Sequence, residues 1–514
     1  MMKPRRPAPG RLRAVWNGWM MDKRTNRRQF LEESLLAAAA AVTPSSAMGW
    51  LARDSVSSRS AIERLGVAIV GVRGRGNSHI SYFAGRRDTR VLYVCDVDQS
   101  VGRTRVREVA ARQGGSPPKY EEDLRRVLED PRVDIVTIAT PNHWHALAAI
   151  WAMQAGKDVY LETPVSHNVQ EGRLLVETAR HYRRICQSGM QARSHPCVQA
   201  AMGHLHSGRI GTVTFARGIC CHHRNPIVGG GPYPIPEGVN YDLWLGPAPR
   251  APLTRAQFHY DWRWQWPYGN GVLGPQGVHQ VDLCRWGLGI AGLGGRVLSV
   301  GGCLQGGGVH TVAATQVICH DFGDRKLVLE MRALSDCGVR ETRMGVVFRG
   351  SNGYVAISGF HRGAVFDAEG RAISRFGGGG GIESHLENFV SAVRAGSCRQ
   401  LNADIEDGHL SSALCHLGNV SFRLGDTISA DDAADQLASL PWGDDVSAAF
   451  SRTRRYLRQQ GAADGSNQVR LGALLACDPD SEDFPNHPEA NRLLTRAYRR
   501  PFVIPGAEQL PVSV

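Results

Sequence analysis

Short apolar runs alternate with helical runs along residues 60–190. Four runs have the length and β-branched content of buried strands: LGVAIV from residue 65, VLYVC from 91, VDIVTIAT from 133 and VYL from 159. Segments with helical periodicity follow the first, third and fourth of them. This alternation predicts a parallel, doubly wound sheet, in which ligands bind beyond the carboxyl ends of the strands.

A glycine-rich turn separates the first predicted strand from its helix. Gly71, Gly74 and Gly76 are spaced G-x-x-G-x-G, with Arg73 and Arg75 between them. Glycines permit a tight turn and a close approach of the backbone to a pyrophosphate, and the amides that open the following helix point toward the anion. We therefore predict that these five residues bind a dinucleotide.

The second predicted strand ends at Asp96, about 20 residues beyond Gly76, where an acid accepts hydrogen bonds from the ribose hydroxyls of the adenosine. No arginine directly follows Asp96 to bind a 2′-phosphate. The predicted cofactor is therefore NAD, and NADP is disfavoured.

The third and fourth strand ends complete the predicted crevice. Thr140, Pro141 and Asn142 leave the third strand, with His145 one turn later, and Glu162 leaves the fourth. Because the carboxyl ends of parallel strands lie along one edge of a sheet, we expect all five residues to line the cofactor site.

Size and charge limit the class of protein. The chain has 514 residues, 42% hydrophobic and 21% charged, which is the composition of a globular protein of two or three domains. Residues 1–50 hold nine Lys and Arg against three Asp and Glu, half of the formal charge of +12. The rest of the excess is spread without a basic run interleaved with aromatics, so nucleic-acid binding is not predicted.

The basic N-terminal segment resembles a twin-arginine export signal. Arg27 and Arg28 precede the apolar run LLAAAAAV at residues 35–42, and small residues at 45–47 follow as a cleavage site. The run is shorter than the ~20 residues of a spanning helix, so no stable membrane span is predicted. Residues 1–50 are predicted to be a leader, and the location periplasmic or equivalent. A basic tail on a cytoplasmic protein is the alternative, and Met20 or Met21 is an alternative start.

The cysteines and the remaining histidines give no metal prediction. The twelve cysteines include no CxxC pair, and we expect free thiols that serve as small core residues. The consecutive residues Cys220, Cys221, His222 and His223 alternate between the two faces of a strand and cannot converge on one ion. The glycine run at 376–382 is predicted to be a surface loop.

Three other histidines are assigned to packing or to the crevice wall. His143 follows the third strand and is expected to line the nicotinamide pocket or to cap the next helix. His385 and His409 lie on predicted helices of the second half of the chain and are expected to pack in its interior.

Several motifs together resemble the Gfo/Idh/MocA oxidoreductases. They are GVRGRG, CDVD, TPNHWH, VYLETP and GVHQVDLCRW, and NYDLWLGPAP and HYDWRWQW are similar to an exported subgroup of that family. The resemblance runs from about residue 65 to 505. It implies an N-terminal Rossmann domain at 60–190, a C-terminal α/β domain at 191–470 with an open, mostly antiparallel sheet that supports a homo-oligomer, and a tail at 471–514.

The chain departs from the family at two catalytic positions. The family places a lysine where this chain has Thr163, and an acid four residues before its histidine, where this chain has Pro275. The histidine itself is present as His279, and Asp282 lies three residues beyond it, in a position to orient the ring. Thr163, His279 and Asp282 are therefore the predicted catalytic residues, with a proton transfer that follows the ordinary titration of imidazole at roughly pH 6–7.

These features predict an exported NAD(P)-dependent oxidoreductase that acts on a sugar, a polyol or a glycoside. The resemblance implies the carbohydrate substrate, and the glycine turn, Asp96 and His279 favour turnover. The losses at positions 163 and 275 favour an alternative, a catalytically impaired protein that binds a dinucleotide and a carbohydrate.

The leader generates a prediction about export. Replacing Arg27 and Arg28 together by lysine keeps the charge but removes the arginine pair, so the double variant should remain in the cytoplasm. Cell fractionation and immunoblotting would measure this, with the variant in which Arg5 and Arg6 become lysine as the control. Normal export of the Arg27, Arg28 double variant would contradict the twin-arginine route.

Overall fold

The computed structural model describes residues 64–221, 230–302, 311–332, 344–440, 443–459 and 468–504. The predicted leader at 1–50 and two histidines considered above, His222 and His223, lie outside the described residues. Within the described ranges, no helix combines the length and the apolar character that a bilayer span requires.

The first sheet confirms the predicted doubly wound domain. Its six strands are β1 Leu65–Val70, β2 Thr89–Cys95, β3 Lys119–Glu121, β4 Ile135–Ile138, β5 Asp158–Leu161 and β6 Cys186–Ser188. All are parallel and lie in the order β3-β2-β1-β4-β5-β6. The strand order reverses between β1 and β4, so the carboxyl ends of these strands open a crevice at the switch point.

Helices flank this sheet and orient their first turns toward its carboxyl edge. They are α1 Arg75–Phe83, α2 Gln99–Arg112, α3 Leu124–Leu128, α4 Asn142–Gln154 and α5 Val169–His181. Asp98 and Asn168 cap α2 and α5 by accepting hydrogen bonds from first-turn amides. α1 instead begins after Gly74, without a side-chain cap. Its N-terminal amides thus remain available to an anion in the crevice.

The second sheet is open and mostly antiparallel, which confirms the expected C-terminal α/β architecture. Within the described residues its strands are β7 Val213–Cys221, β8 Gly295–Gly302, β9 Thr315–Asp321, β10 Lys326–Arg332, β11 Met344–Gly350, β12 Gly353–Ser358, β13 Arg362–Asp367, β14 Ala372–Gly377, β15 Asp426–Ser429, β16 Gln468–Leu471 and β17 Leu475–Cys477. They lie in the order β14-β13-β12-β11-β7-β10-β9-β8-β16-β15, with β17 also beside β8. The pairing of β7 with β10 is parallel.

Helices of the second half complete two cores around this sheet. They are α6 Pro196–His206, α7 Tyr241–Leu245, α8 Val278–Leu288, α9 Ile382–Ala395, α10 Ile405–Arg423, α11 Ala430–Ala438, α12 Gly443–Gln459 and α13 Pro488–Arg492. Apolar side chains of α6, α8 and α10 pack on one face of the strands, and those of α11 and α12 pack on the other. α8, which carries His279, is therefore held between the sheet and α10.

The chain returns to the first domain after it has built the second. α9 places Leu386 and Phe389 in a core with β1 and β2, and Phe502 and Ile504 pack with the apolar side chains of α4. The segment that begins at residue 471 also contains β17, which pairs with β8. The described part of the expected tail thus belongs to both domains.

The cysteines follow the expectation with one exception. Nine described cysteines have free thiols, and eight of them are buried. Cys221 at the end of β7 is disulfide-bonded, so the expectation of a free thiol is wrong there. The reason is the alternation of the strand: Cys220 points into the core, whereas Cys221 is only half-buried and lies on the opposite face.

Candidate active site

A cavity of about 380 Å³ runs along the carboxyl edge of the first sheet. Its walls are formed by the glycine turn after β1, by the residues that leave β2, β4 and β5, by His279 of α8, and by residues 243–263. The cavity therefore joins most of the predicted nucleotide residues to Thr163 and His279 in one continuous space, whereas Gly76 and Asp282 are not among the residues that line it.

The glycine turn has the geometry that a bound pyrophosphate requires. Gly71 has φ +77°, and a Cβ there would lie 2.8 Å from the backbone of Ala139. A Cβ on Gly76 would lie 2.0 Å from the carbonyl oxygen of Gly71, so both glycines are required by packing. At Gly74 no described atom lies within 4 Å of a Cβ position. The missing side chain at Gly74 therefore leaves open space in front of the uncapped α1, where a phosphate fits.

Asp96 lies in the cavity wall at the exit of β2. Its carboxylate accepts hydrogen bonds from the amides of Val72 at 2.8 Å and Asp98 at 3.0 Å, which fixes it beside the glycine turn. Burial raises the pKa of Asp96 to about 6, against these two hydrogen bonds, so the group is mostly ionised at neutral pH. An anion held here fits a pair of ribose hydroxyls and repels a 2′-phosphate.

The exit of β4 presents buried polar atoms to the cavity. Thr140, Pro141, Asn142 and His145 all line it. The Thr140 hydroxyl and the Asn142 side-chain carbonyl oxygen are buried and have no hydrogen-bond partner within the described residues. Since buried polar groups are normally hydrogen-bonded, these two atoms indicate a polar ligand in the cavity.

His145 differs from the prediction in its role. Its Nδ1 lies 2.6 Å from the carbonyl oxygen of Pro164, and its Nε2 lies 2.8 Å from that of Thr140. Burial lowers the pKa of His145, and the two carbonyl oxygens oppose that effect. The imidazole thus joins the exits of β4 and β5, and both ring nitrogens face the backbone rather than a cofactor.

Residues 239–268, here called the covering segment, close the outer side of the cavity. His259 Nε2 lies 3.0 Å from the carboxylate of Asp98, and the Arg73 guanidinium lies 4.9 Å from the centre of the Tyr260 ring. Arg73 is predicted to contact the cofactor. It lines the cavity and also contacts the covering segment. HYDWRWQW contributed only to the family resemblance, and the clustering of its aromatic side chains is the signal that could have predicted this wall of the cavity.

A buried arginine fixes the covering segment in place. The Arg255 guanidinium lies 4.2 Å from the centre of the Trp244 ring and 5.0 Å from that of Phe258, and its Nε donates to the Phe258 carbonyl at 3.0 Å. His143 Nε2 lies 2.9 Å from the carbonyl oxygen of Trp244, so α4 is joined to the same cluster. His143 therefore binds the covering segment and is not among the residues that line the cavity.

Two family profiles match the chain. Residues 65–190 match the oxidoreductase family, NAD-binding Rossmann fold, and residues 229–298 match the C-terminal alpha/beta domain of the same family. Both matched segments, residues 65–190 and 229–298, are thus similar to domains of the Gfo/Idh/MocA oxidoreductases. The first domain of the chain is an NAD-binding Rossmann domain, which confirms the predicted cofactor.

Known proteins of similar sequence are glycosyl hydrolases. A glycosyl hydrolase family 109 protein of Saccharopolyspora erythraea is 30% identical over 199 residues, which are 36% of this chain and 43% of that protein. An alpha-N-acetylgalactosaminidase of Shewanella oneidensis is 30% identical over 156 residues, 30% of this chain and 34% of that protein. The alignments thus span less than half the length of these relatives.

Two solved sugar oxidoreductases have a similar fold. A levoglucosan dehydrogenase, solved with NADH and levoglucosan, superposes with a TM-score of 0.52 at 20% identity and covers 69% of this chain and 95% of that one. An aldose–aldose oxidoreductase of Caulobacter crescentus gives a TM-score of 0.52 at 16% identity, with 68% and 95% covered. These similarities show the shared fold.

The two departures from the family are in contact with each other. Thr163 and Pro275 both line the cavity, and the Thr163 hydroxyl lies 3.5 Å from the Pro275 carbonyl oxygen, the limit of a hydrogen bond. Pro275 belongs to a π-helical turn, Leu273–Gly277, that precedes α8. The spacing of four residues therefore does not place position 275 on the same α-helical face as His279, because the turn before His279 is wider than an α-helical turn.

His279 faces the cavity from the first turn of α8. Burial and the nearby charge of Arg75 lower its pKa to about 4, against the opposing effects of Glu162 and Asp282. The imidazole is therefore neutral at neutral pH and can accept a proton. The expected change at roughly pH 6–7 is wrong, because burial penalises the charged ring.

Asp282 does not orient His279. Its carboxylate accepts two hydrogen bonds from Arg193, at 2.8 and 2.9 Å, and one from the Ser411 hydroxyl at 2.8 Å. Arg193 also pairs with Asp407. Asp282, three residues after His279, lies on the side of α8 that faces α10. Its carboxylate therefore belongs to a buried ion network with Arg193 and does not face the cavity.

Sequence reasoning missed His79, which determines the position of Glu162. His79 Nε2 lies 3.0 Å from a Glu162 carboxylate oxygen, and its Nδ1 lies 3.1 Å from the Thr137 hydroxyl. Glu162 lines the cavity as predicted. The available signal was a histidine on the apolar face of α1, although its partner lies 83 residues away in the chain.

The other candidates lie away from the cavity. His385 contacts the Ser194 hydroxyl and the Ser188 carbonyl, and His409 contacts Glu482, as expected of packing residues. Residues 378–381 connect β14 to α9, and 378–380 are exposed, which confirms a surface loop there; the ends of the predicted range, 376–377 and 382, belong to β14 and α9. Within the described ranges, no group of three or more His, Cys, Asp or Glu side chains has the arrangement of a metal site.

The glycine turn generates a binding prediction. Gly74→Val places a branched side chain in the open space before α1, so NAD affinity should fall at least about tenfold, or about 1.4 kcal/mol. Isothermal titration calorimetry would measure the affinity. Gly203→Val is the matched control, because Gly203 in α6 also has no described atom near its Cβ position and lies away from the cavity. Equal NAD affinity in the two variants would contradict the assignment.

The ion network generates a stability prediction. Asp282→Ala leaves Arg193 and Arg285 buried with one carboxylate between them, and should lower the free energy of unfolding by about 3–5 kcal/mol at pH 7. Burial opposes ionisation of Asp282, but the charge of Arg193 prevails and its pKa is lowered. This contribution is therefore present above the unfolded-state pKa of about 3.9 and is lost as the pH falls through the folded-state value.

Chemical denaturation of wild type and Asp282→Ala at a series of pH values would measure the difference. It should be constant from neutral pH down to about pH 4 and then shrink. A difference that grew on acidification would show that the carboxylate is not stabilised by its arginine partners.

Proposed function

We propose that this protein is an exported NAD-dependent oxidoreductase that acts on a hydroxyl group of a sugar, a polyol or a glycoside. The observation that carries the proposal is the single cavity that joins the glycine turn and Asp96 to His279. The named sugar oxidoreductases of the same fold and the glycosyl hydrolases of similar sequence support a carbohydrate substrate. The leader supports export, and the open second sheet supports a homo-oligomer.

The residues of the cavity divide the work of oxidation between them. When bound, NAD supplies a hydride acceptor at its nicotinamide ring. Asp96 and the glycine turn hold the adenosine and the pyrophosphate, and the unpartnered Thr140 and Asn142 orient the nicotinamide end. His279, neutral at pH 7, accepts the proton of the substrate hydroxyl, because no described group forms a hydrogen bond with its ring nitrogens.

Two variants of this function have their own support. The relatives named glycosyl hydrolases favour a cycle in which a glycoside is oxidised, loses its aglycone and is reduced again, with no net NADH. The uncharged Thr163 and Pro275 favour a protein that binds a dinucleotide and a carbohydrate with little turnover.

The test begins with the nucleotide that copurifies, identified by mass spectrometry after denaturation. A panel of sugars, polyols and glycosides is then assayed both for NADH absorbance and for aglycone release. NADH formation supports the dehydrogenase, and aglycone release without net NADH supports the glycoside cycle. If neither NADH nor a released aglycone is detected with any substrate, while carbohydrate binding persists in calorimetry, the result supports a binding protein with little turnover.

The proton acceptor gives a pH prediction. His279→Ala should reduce turnover by about 10²–10⁴-fold without loosening NAD. In the wild type, the rate of oxidation should rise as the pH increases through about 4, where the imidazole loses its proton, and should be flat through neutral pH. A rate that instead rose through pH 6–7 would show that another group accepts the proton.

A further inference from the structure

Arg75 reaches the reaction end of the cavity from the glycine turn. It is the first residue of α1, and its Nε lies 3.5 Å from a Glu162 carboxylate oxygen. Its side chain is 48% exposed, and it lines the cavity together with Thr163 and His279. Within the described residues, the terminal nitrogens of Arg75 have no hydrogen-bond partner. One edge of the guanidinium is thus held, and the other is open to a ligand.

Glu162 holds that orientation because its own carboxylate is fixed from several sides. His79 approaches it at 3.0 Å, and Gln191 Nε2 lies 3.3 Å from the same oxygen. A Cβ on Gly189 would lie 2.7 Å from the other carboxylate oxygen, so the backbone also confines the group. Glu162 is therefore a rigid anchor for the Nε side of Arg75.

Arg75 also acts electrostatically on His279. After burial, its charge is the largest effect that lowers the pKa of the imidazole. Thr163 lines the same cavity as Arg75 and His279, but its side chain carries no charge. The positive charge at this end of the cavity therefore comes from the glycine turn and not from position 163.

We propose that Arg75 replaces the family's lysine: its open guanidinium edge binds the substrate oxygen while that oxygen gives its proton to His279. This inference rests on the proposed oxidation of a hydroxyl group. The O–H bond breaks and its proton passes to the imidazole, the C–H electron pair leaves as hydride to oxidised nicotinamide, and a C=O bond forms. Arg75 keeps its protons throughout and stabilises the negative charge that develops on the oxygen.

The proposal explains why lysine is not needed at position 163. A lysine there would add a second cation beside Arg75, and like charges in a partly buried site destabilise each other. Thr163→Lys alone should therefore not increase turnover. In a chain without the Arg75 charge, the same lysine should restore it.

The test compares six proteins: wild type, Arg75→Gln, Thr163→Lys, the double variant with both changes, Arg73→Gln as the matched control, and Arg73→Gln combined with Thr163→Lys. Arg73 belongs to the same glycine turn but contacts Tyr260 of the covering segment. Arg75→Gln should lower kcat by about 10²–10³-fold at saturating NAD. Adding Thr163→Lys to it should recover at least about tenfold. Adding Thr163→Lys to Arg73→Gln should not increase kcat.

A second measurement does not depend on turnover. NMR titration of the His279 ring should show a higher pKa in Arg75→Gln, because a nearby positive charge has been removed, and a lower one again when Thr163→Lys is added. If the wild type proves inactive with every substrate, the proposed function fails, and these two shifts still support or contradict the charge replacement.

The competing role for Arg75 is binding of the cofactor's pyrophosphate. In that case Arg75→Gln would weaken NAD binding in calorimetry, leave kcat unchanged at saturating NAD and gain nothing from Thr163→Lys. That result would overturn the proposal, as would a His279 pKa that is the same in wild type and Arg75→Gln.

Discussion

The reaction end of the cavity depends on one buried carboxylate. Burial alone would raise the pKa of Glu162, but the hydrogen bond from His79 and the charge of Arg75 lower it to about 2. Transferring a carboxylate from water into the protein costs several kcal/mol unless partners compensate it. Glu162 therefore requires His79 on α1, Arg75 at the start of the same helix and Gln191 after β6. These contacts fix how α1 lies against the exit of β5.

The parts of the site that follow from local rules could be predicted from the sequence. The β-branched run of β1 and the glycines after it dictate a strand, a turn and a helix, and the structure places Asp96 and Thr140 at the neighbouring strand ends for the same reason. The contacts across the sheet could not be predicted. His79 and Glu162 meet only because α1 packs beside the exit of β5, and no periodicity in either segment encodes that approach.

The error at Asp282 has a related cause. A spacing of three residues places two side chains near one another on an α-helix, but it does not determine which neighbouring group the carboxylate binds. Arg193 is 89 residues away and offers two hydrogen bonds in a buried setting, which outweighs a neutral imidazole at the rim of a cavity. Likewise, nothing in the residues before His279 announced the π-helical turn that holds Pro275.

The two departures from the family are best understood as one change. A lysine at position 163 and an acid at position 275 would be neighbours, since Thr163 Oγ1 now lies 3.5 Å from the Pro275 carbonyl. Losing only one of them would leave an unpaired charge at the edge of the cavity, whereas losing both keeps the net charge of the site unchanged. The Arg75–Glu162 pair remains charged beside His279, which is neutral at neutral pH. A site whose charges are paired in this way suits an uncharged hydroxyl ligand. The positive charge of Arg75 then acts on the ligand mainly when its oxygen loses a proton and becomes negative.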